Sequence, residues 1–249
     1  MTKPPLAFED AFELLGPALP GGAIVLVGGQ ALIYWLSYYR DRVEALRQLT
    51  FVTSDDVDFY GTQEDARRMA EAIAGSDVRN FGVDSLSAAT AIVRFRDQAG
   101  EERQIDFLRT VHGLDNEQVR NTAIEVELKD RAGNPTGFRL RVLHPVLCLV
   151  SRFHNTHGFP KYQEARGLRQ ARAAIGIAQG YLQDQCDAGN IRIAHNAIKI
   201  VADLACSAEG RAVYDQFQLD ALEAIPNDAR LGDAFFAAQL PRIRARAGR

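Results

Sequence analysis

The chain has 249 residues, enough for one large domain or two small ones, and 47% of them are hydrophobic, which excludes global disorder. A net charge of −3 excludes a protein that coats nucleic acid through bulk charge, but not one with a local basic groove. Cys148, Cys186 and Cys206 form no C-x-x-C pair, the N-terminus meets acidic residues at once, and no apolar run approaches the ~20 residues of a membrane helix. The expectation is a soluble, cytoplasmic protein with no membrane partner.

Phe8, Phe12 and Leu15 recur at helical spacing before Pro17, Pro20, Gly21 and Gly22 break the chain. Ala23 to Val27 is a short apolar run that reads as a buried strand. Gly28-Gly29 ends it, and Ala31, Leu32, Trp35, Leu36 and Tyr39 follow with helical periodicity. Val57 to Tyr60 reads as a second strand. Thr62, with Asp65 three residues on, starts a helix whose apolar face is Ala66, Met69, Ala70 and Ile73.

Ala91 to Phe95 and Gln104 to Leu108 flank the turn Asp97 to Gly100 and predict a hairpin. Ala123 to Leu128 and Phe138 to Val142 form another strand pair around Gly133-Asn134-Pro135. After His144-Pro145 helical patterns dominate: Val146 to Phe153, Tyr162 to Gln185, Ile191 to Cys206, Ala208 to Phe217 and Leu231 to Ala245. The fold class expected is α+β. Residues 1–143 would form a mixed β-sheet flanked by helices, and residues 144–249 a C-terminal helical domain.

The chemistry concentrates in T-S-D-D-V-D-F, Thr53 to Phe59. Alternation along a strand would send Asp56 and Asp58 to one face and Val57 and Phe59 into the core. Two like charges on one face repel, and a hard divalent cation, Mg²⁺ or Mn²⁺, resolves the conflict. Asp106 stands between Ile105 and Phe107 in Q-I-D-F-L, a carboxylate on another core strand that needs a partner. If the two strands are neighbours, three carboxylates converge as a metal site. Gly28-Gly29, at a strand-to-helix turn, would let backbone N–H groups approach nucleotide phosphate. The alternative is a turn that only needs positive φ. Neither a P-loop nor a dinucleotide fingerprint is present.

V-G-G-Q-A-L at Val27 to Leu32, S-D-D-V-D-F at Ser54 to Phe59 and I-D-F-L at Ile105 to Leu108 resemble the nucleotidyltransferase superfamily, and most closely its bacterial abortive-infection and toxin–antitoxin branch. The resemblance implies transfer of a nucleoside monophosphate from a nucleoside triphosphate to a hydroxyl on an acceptor RNA or protein, in a toxin–antitoxin or phage-defence setting. It implies Gly28, Gly29 and Ser54 around the phosphates, and Asp56 and Asp58 on the metal. Asp106 would be the third carboxylate, either a metal ligand or the base for the acceptor hydroxyl. Arg152 stands where that branch carries a lysine opening its helical part, and Lys161 and Glu164 follow. Charge balance against a triphosphate makes Arg152 and Lys161 the candidate cations of the helical part. The rival reading is a non-catalytic nucleotide- or partner-binding module on the same fold.

Other candidates are plainer. His154 and His157 lie near Cys148 in sequence, but no second pair completes a zinc set. His112 reads as a solvated turn residue and His195 as a packed one. The arginines of P-R-I-R-A-R-A-G-R read as a solvated, fraying end.

Overall fold

Among the described residues, strand propensity and alternation build a seven-stranded mixed sheet whose strands, from edge to edge, begin at Asp77, Ala89, Glu102, Val57, Val25, Pro135 and Ile124. The computed structural model describes residues 8, 12, 15, 16, 19, 24–49, 54, 56–82, 84, 85, 87–97, 100–130 and 132–249. The expected break at Pro17, Pro20, Gly21 and Gly22, together with Ala23 and Thr53, lies outside them. The strands are β1 (Val25–Val27), β2 (Val57–Tyr60), β3 (Asp77–Asn80), β4 (Ala89–Arg96), β5 (Glu102–Leu108), β6 (Ile124–Lys129) and β7 (Pro135–Val142). The pairs β1–β7 and β2–β5 are parallel, and the other neighbours are antiparallel.

The described helices are α1 (Gly28–Tyr39), α2 (Glu44–Arg47), α3 (Gln63–Ala72), α4 (Asn116–Thr122), α5 (Pro145–Gly158), α6 (Ala165–Asp187), α7 (Ile191–Cys206), α8 (Ala208–Phe217) and α9 (Leu240–Ala247). The chain divides into two compact units, residues 1–34 with 53–144, and residues 35–52 with 145–249.

In the first unit the sheet has an apolar face. Leu26, Phe59 and Phe107 occupy matched positions on β1, β2 and β5, and all three are fully buried. Phe12 stands edge-on to Phe59 at 6.4 Å, and Phe59 lies 5.7 Å from Phe107, so aromatic packing closes this core. Burying three such side chains stabilises the sheet by roughly 1.5–3 kcal/mol each. Helix α3 begins where the sequence pattern placed it. The Thr62 hydroxyl accepts from the Asp65 N–H, and an Asp65 carboxylate oxygen accepts from the Thr62 N–H at 2.8 Å.

Both expected hairpins form, and β4–β5 is closed at its turn end by a buried Arg103–Asp97 ion pair of 2.7 Å. Pro135 is the first residue of β7 rather than part of the turn before it, a position where its missing N–H breaks no interior ladder. Strand β3 and helix α4 were not anticipated from the sequence.

The second unit is helical. Residues 35–52 belong to it, although the sequence placed them with the sheet. The reason is packing: a Cβ on Gly176 would strike the Leu46 side chain at 2.5 Å, and one on Gly180 the Tyr39 ring at 2.6 Å. Two glycines of α6 therefore admit Tyr39, Val43 and Leu46 to close contact. The expected helix over Tyr162 to Gln185 starts only at Ala165, after a tight turn at Pro160–Tyr162. The expected helix over Leu231 to Ala245 is likewise interrupted. Gly232 has φ +91°, a wide turn spans Phe235–Gln239, and α9 follows with Pro241 in its first turn. Pro241 has no N–H to give the carbonyl four residues back.

In the arginine-rich end Arg242, Arg244 and Arg246 are exposed, as expected, but the last arginine is docked. The Arg249 guanidinium lies 3.4 Å from the centre of the Tyr214 ring and 3.3 Å from an Asp220 carboxylate oxygen. Among the described residues no helix is long and apolar enough to cross a membrane.

The α6 packing has a direct test. A Cβ on Gly167 would meet the Tyr162 carbonyl oxygen at 2.2 Å, whereas one on Gly82 meets nothing within 4 Å. Gly167→Ala should lower unfolding stability by about 1–3 kcal/mol. Gly82→Ala should stay within about 0.5 kcal/mol of the parent. Urea denaturation of the two variants beside the parent reads the difference.

Candidate functional site

The other face of the sheet carries the polar residues. Parallel pairing of β2 with β5 sets Val57 opposite Ile105, Asp58 opposite Asp106 and Phe59 opposite Phe107. Residues opposite one another on adjacent strands share a face, so Asp58 and Asp106 stand side by side on strands spaced about 5 Å apart. Both are half-buried, while their neighbours Val57, Phe59, Ile105 and Phe107 are fully buried on the opposite face. The Gln104 amide, two residues earlier on that face of β5, donates to the Asp106 carboxylate at 2.6 Å.

The register joins two of the three expected carboxylates, Asp58 and Asp106. Asp56 lies in a bend immediately before β2. Its backbone carbonyl accepts from the buried Ser54 hydroxyl at 3.0 Å. Among the described residues no group of three His, Cys, Asp or Glu is arranged to hold a metal ion.

The glycine pair is held against these same residues. Gly28 has φ +65°, and a Cβ there would fall 2.0 Å from Asp58 Oδ2. A Cβ on Gly29 would fall 2.3 Å from Ser54 Oγ. The start of α1 therefore presses directly on Asp58 and Ser54, and only glycine fits at either position. Val27 is the β1 partner of Asp58, so the strand delivers the chain to this point in register. The partial positive charge of a helix start favours an acidic group here, and the N–H groups of a first turn suit phosphate oxygens equally; in this turn Gly28 is partly exposed, while Gly29, Gln30 and Ala31 are buried. Gly28, Gly29, Ser54, Asp58 and Asp106 thus form one constellation in the first unit. Position-specific glycine need was visible in the sequence, but the partners that impose it were not.

No family model, no curated protein and no solved structure matches this chain. The chemistry of the site rests on its own residues.

Arg152 and Lys161 belong to the second unit. Arg152 is neither exposed nor loosely held. It is buried in α5, donates to the Gln170 side-chain oxygen at 2.9 Å and sits 5.5 Å from the centre of the Tyr162 ring. The Lys161 ammonium lies 5.0 Å from the centre of the same ring, so the two cations share one aromatic partner. Burial pushes the neighbouring Cys148 thiol up to about 12, against an opposing pull from Arg152. Cys148 is therefore a packed thiol, not a reactive one.

The remaining histidines follow their plain readings. His112 is exposed in the turn after β5, and His195 lies edge-on to Phe235 at 5.7 Å. His154 and His157 contribute to holding the Glu209 carboxyl below its usual range, after its stronger hydrogen bonds to its own backbone and to Ser207.

The contact between Gly28 and Asp58 predicts strong coupling. Gly28→Ala adds a left-handed backbone penalty of about 1–2 kcal/mol and a steric one of about 1–3 kcal/mol. In a Gly28→Ala/Asp58→Ala variant the steric part should be largely relieved, leaving the backbone part. Chemical denaturation of the two singles and the double measures this, and additive losses would show that the contact carries no energy.

Proposed function

We propose that the first unit is a metal-dependent nucleotidyltransferase site, moving a nucleoside monophosphate from a nucleoside triphosphate to a hydroxyl on RNA or protein. The observation that carries this reading is the register of Asp58 with Asp106 beside the glycine-built start of α1. Like charges directly opposite on adjacent strands destabilise a sheet. A hard divalent cation offsets that cost, since Mg²⁺ and Mn²⁺ take carboxylate oxygens. Two carboxylates a strand spacing apart fit such an ion, and the cradle that excludes a Cβ at Gly28 keeps one of them against the helix start.

In this reading Asp58 and Asp106 hold Mg²⁺ or Mn²⁺. The bound ion supplies charge stabilisation to the phosphate oxygens and the leaving pyrophosphate. Backbone N–H groups in the first turn of α1 bind the triphosphate, and glycine lets the phosphates approach the backbone. Ser54, packed against Gly29, donates to the Asp56 carbonyl in the turn that leads into β2. Chemically, the acceptor oxygen bonds to the α-phosphorus, the bond from that phosphorus to the bridging oxygen of pyrophosphate breaks, and the hydroxyl proton passes to a base. Asp56, at the mouth of β2, is the carboxylate placed outside the ladder and the first choice for that base. The resemblance of the three motifs to nucleotidyltransferases supports the same assignment, and its toxin–antitoxin branch suggests a toxin–antitoxin or phage-defence setting. Arg152 enters it only as a packed residue of the second unit, and Lys161 shares its ring.

The test is a matched pair of measurements. A nucleoside triphosphate should raise the melting temperature only with Mg²⁺ or Mn²⁺ present, because triphosphate and carboxylates repel one another without it. With α-labelled triphosphate, Mg²⁺ and cell extract, label should pass to a macromolecule, and γ-label should not. Asp58→Asn should abolish the transfer. Stabilisation without transfer supports the non-catalytic binding module instead, and an unchanged melting point at millimolar nucleotide with either metal removes the nucleotide site altogether.

A further inference from the structure

We infer that α9 is a docking element for a DNA duplex, lying along the major groove with its arginines reaching the phosphate backbone on either side. The inference concerns the second unit alone and does not depend on the nucleotidyltransferase reading. Helix α9 buries Leu240 and Ala247, half-buries Ile243, and leaves Pro241, Arg242, Arg244, Ala245 and Arg246 exposed. With about 3.6 residues per turn, Pro241 and Ala245 form its outward line. Arg242 and Arg246, one turn apart, stand on one flank of that line, and Arg244 stands on the other. Arg211 of α8 adds a fourth exposed guanidinium, which donates to the Arg246 carbonyl at 3.4 Å.

Charge and shape decide the occupant. Among the described residues none of these four arginines has a carboxylate within ion-pair distance, whereas Arg67 pairs with Glu64, and Arg230 with Asp187 and Asp228. The exposed carboxylates Asp203 on α7 and Asp215 on α8 pair with none of the four. Uncompensated guanidiniums suit phosphate oxygens, which they can grip with two hydrogen bonds at once. A membrane surface is a poor match, because an interfacial helix inserts its apolar face, and that of α9 is already packed. A single strand is a poor match too, since single strands are held by stacking on aromatic rings and α9 carries none. A helix with its side chains is about 10–12 Å across. The major groove of B-form DNA is about 12 Å wide, while that of an RNA duplex is too narrow for side chains to enter. Small residues on the crest and arginines on both flanks suit a helix seated between two backbones. The element is also held in place: Cys206 Sγ donates to the Ile243 carbonyl at 3.8 Å, and the Arg249 N–H to the Arg244 carbonyl at 2.8 Å. With a net charge of −3 on the whole chain, the attraction is local and the affinity modest.

Fluorescence anisotropy of a short labelled DNA duplex, titrated with the full chain over roughly 50–200 mM salt, tests the docking. The parent should bind with a Kd of roughly 10⁻⁴–10⁻⁶ M, the range of sequence-independent contact. Its log affinity should fall against log salt with a slope of about −3 to −4, near −0.9 for each of the four phosphates neutralised. Arg246→Gln and Arg244→Gln should each weaken binding and flatten that slope by about 0.9, because they reach opposite strands. Arg246→Lys, which keeps the charge, should hold the parent slope. Arg68→Gln removes an exposed charge from the first unit and should change neither quantity. All four side chains are exposed, so the variants should melt like the parent. No binding by the parent at the lowest salt overturns the docking, as does an Arg68→Gln loss equal to that of Arg246→Gln, which is the mark of bulk charge. An RNA duplex or a single strand of the same sequence bound as tightly as the DNA duplex overturns the seat in the groove. A loss in Arg246→Gln with none in Arg244→Gln overturns it too, since only one flank would then touch phosphate.

Discussion

Two carboxylates stand opposite one another on neighbouring strands, and the rest of the first unit is arranged around that arrangement. Asp58 and Asp106 owe their adjacency to the parallel pairing of β2 with β5, which is set by the residues behind them. Val57, Phe59, Ile105 and Phe107 are fully buried, and a slip of one residue would send all of them to the polar face. Hydrophobic burial of roughly 1.5–3 kcal/mol per large side chain therefore fixes this register. The apolar face provides the stability, and the polar face carries the two carboxylates.

The helix start is the second half of the same design. Strand β1 pairs with β2 so that Val27 faces Asp58, and the chain must then turn into α1 within one residue. It does so through a positive φ at Gly28, with no room for a Cβ before Asp58 Oδ2. Gly29 makes the same concession to Ser54. Carboxylates, hydroxyl and helix N-terminus meet because two consecutive residues have no side chains. In the second unit, glycines at 167, 176 and 180 again allow close approach, but their neighbours are the Tyr162 backbone, Leu46 and Tyr39, and the result is packing alone.

Much of this was legible in the sequence wherever the cause was local. The alternation of Val57, Asp58 and Phe59, and of Ile105, Asp106 and Phe107, gave both strands and their buried faces. Thr62 with Asp65 gave the start of α3. The Asp115–Gln118 capping box, which begins α4, is the same kind of local signal. What escaped was non-local or without pattern. Asp77-Val78-Arg79-Asn80 is an edge strand with little apolar content, held by pairing to β4 rather than by burial. Residues 35–52 look like a continuation of the sheet domain until the α6 glycines that receive Tyr39 and Leu46 are known. Asp56 stands just outside β2, which starts at Val57 as the sequence pattern has it, so its place beside Asp58 is not set by the strand register. Gln104 offered no motif at all, because a hydrogen bond between residues two apart on a strand depends on rotamers.

The central claim is that Asp58 and Asp106 repel each other in the metal-free protein and share a divalent ion when one is supplied. A double-mutant cycle of Asp58→Asn and Asp106→Asn, read by denaturation with and without Mg²⁺, isolates that term from every other contact of either residue. Without Mg²⁺, each single change relieves the same repulsion, so the double variant should be less stable than additivity predicts, by about 0.5–3 kcal/mol. With saturating Mg²⁺, each single change forfeits the same shared ion, so the double variant should be more stable than additivity predicts. A coupling that reverses sign on adding Mg²⁺ is the result expected. Additivity under both conditions, or an attractive coupling that ignores the metal, would contradict the account and leave the pair as two independent surface carboxylates.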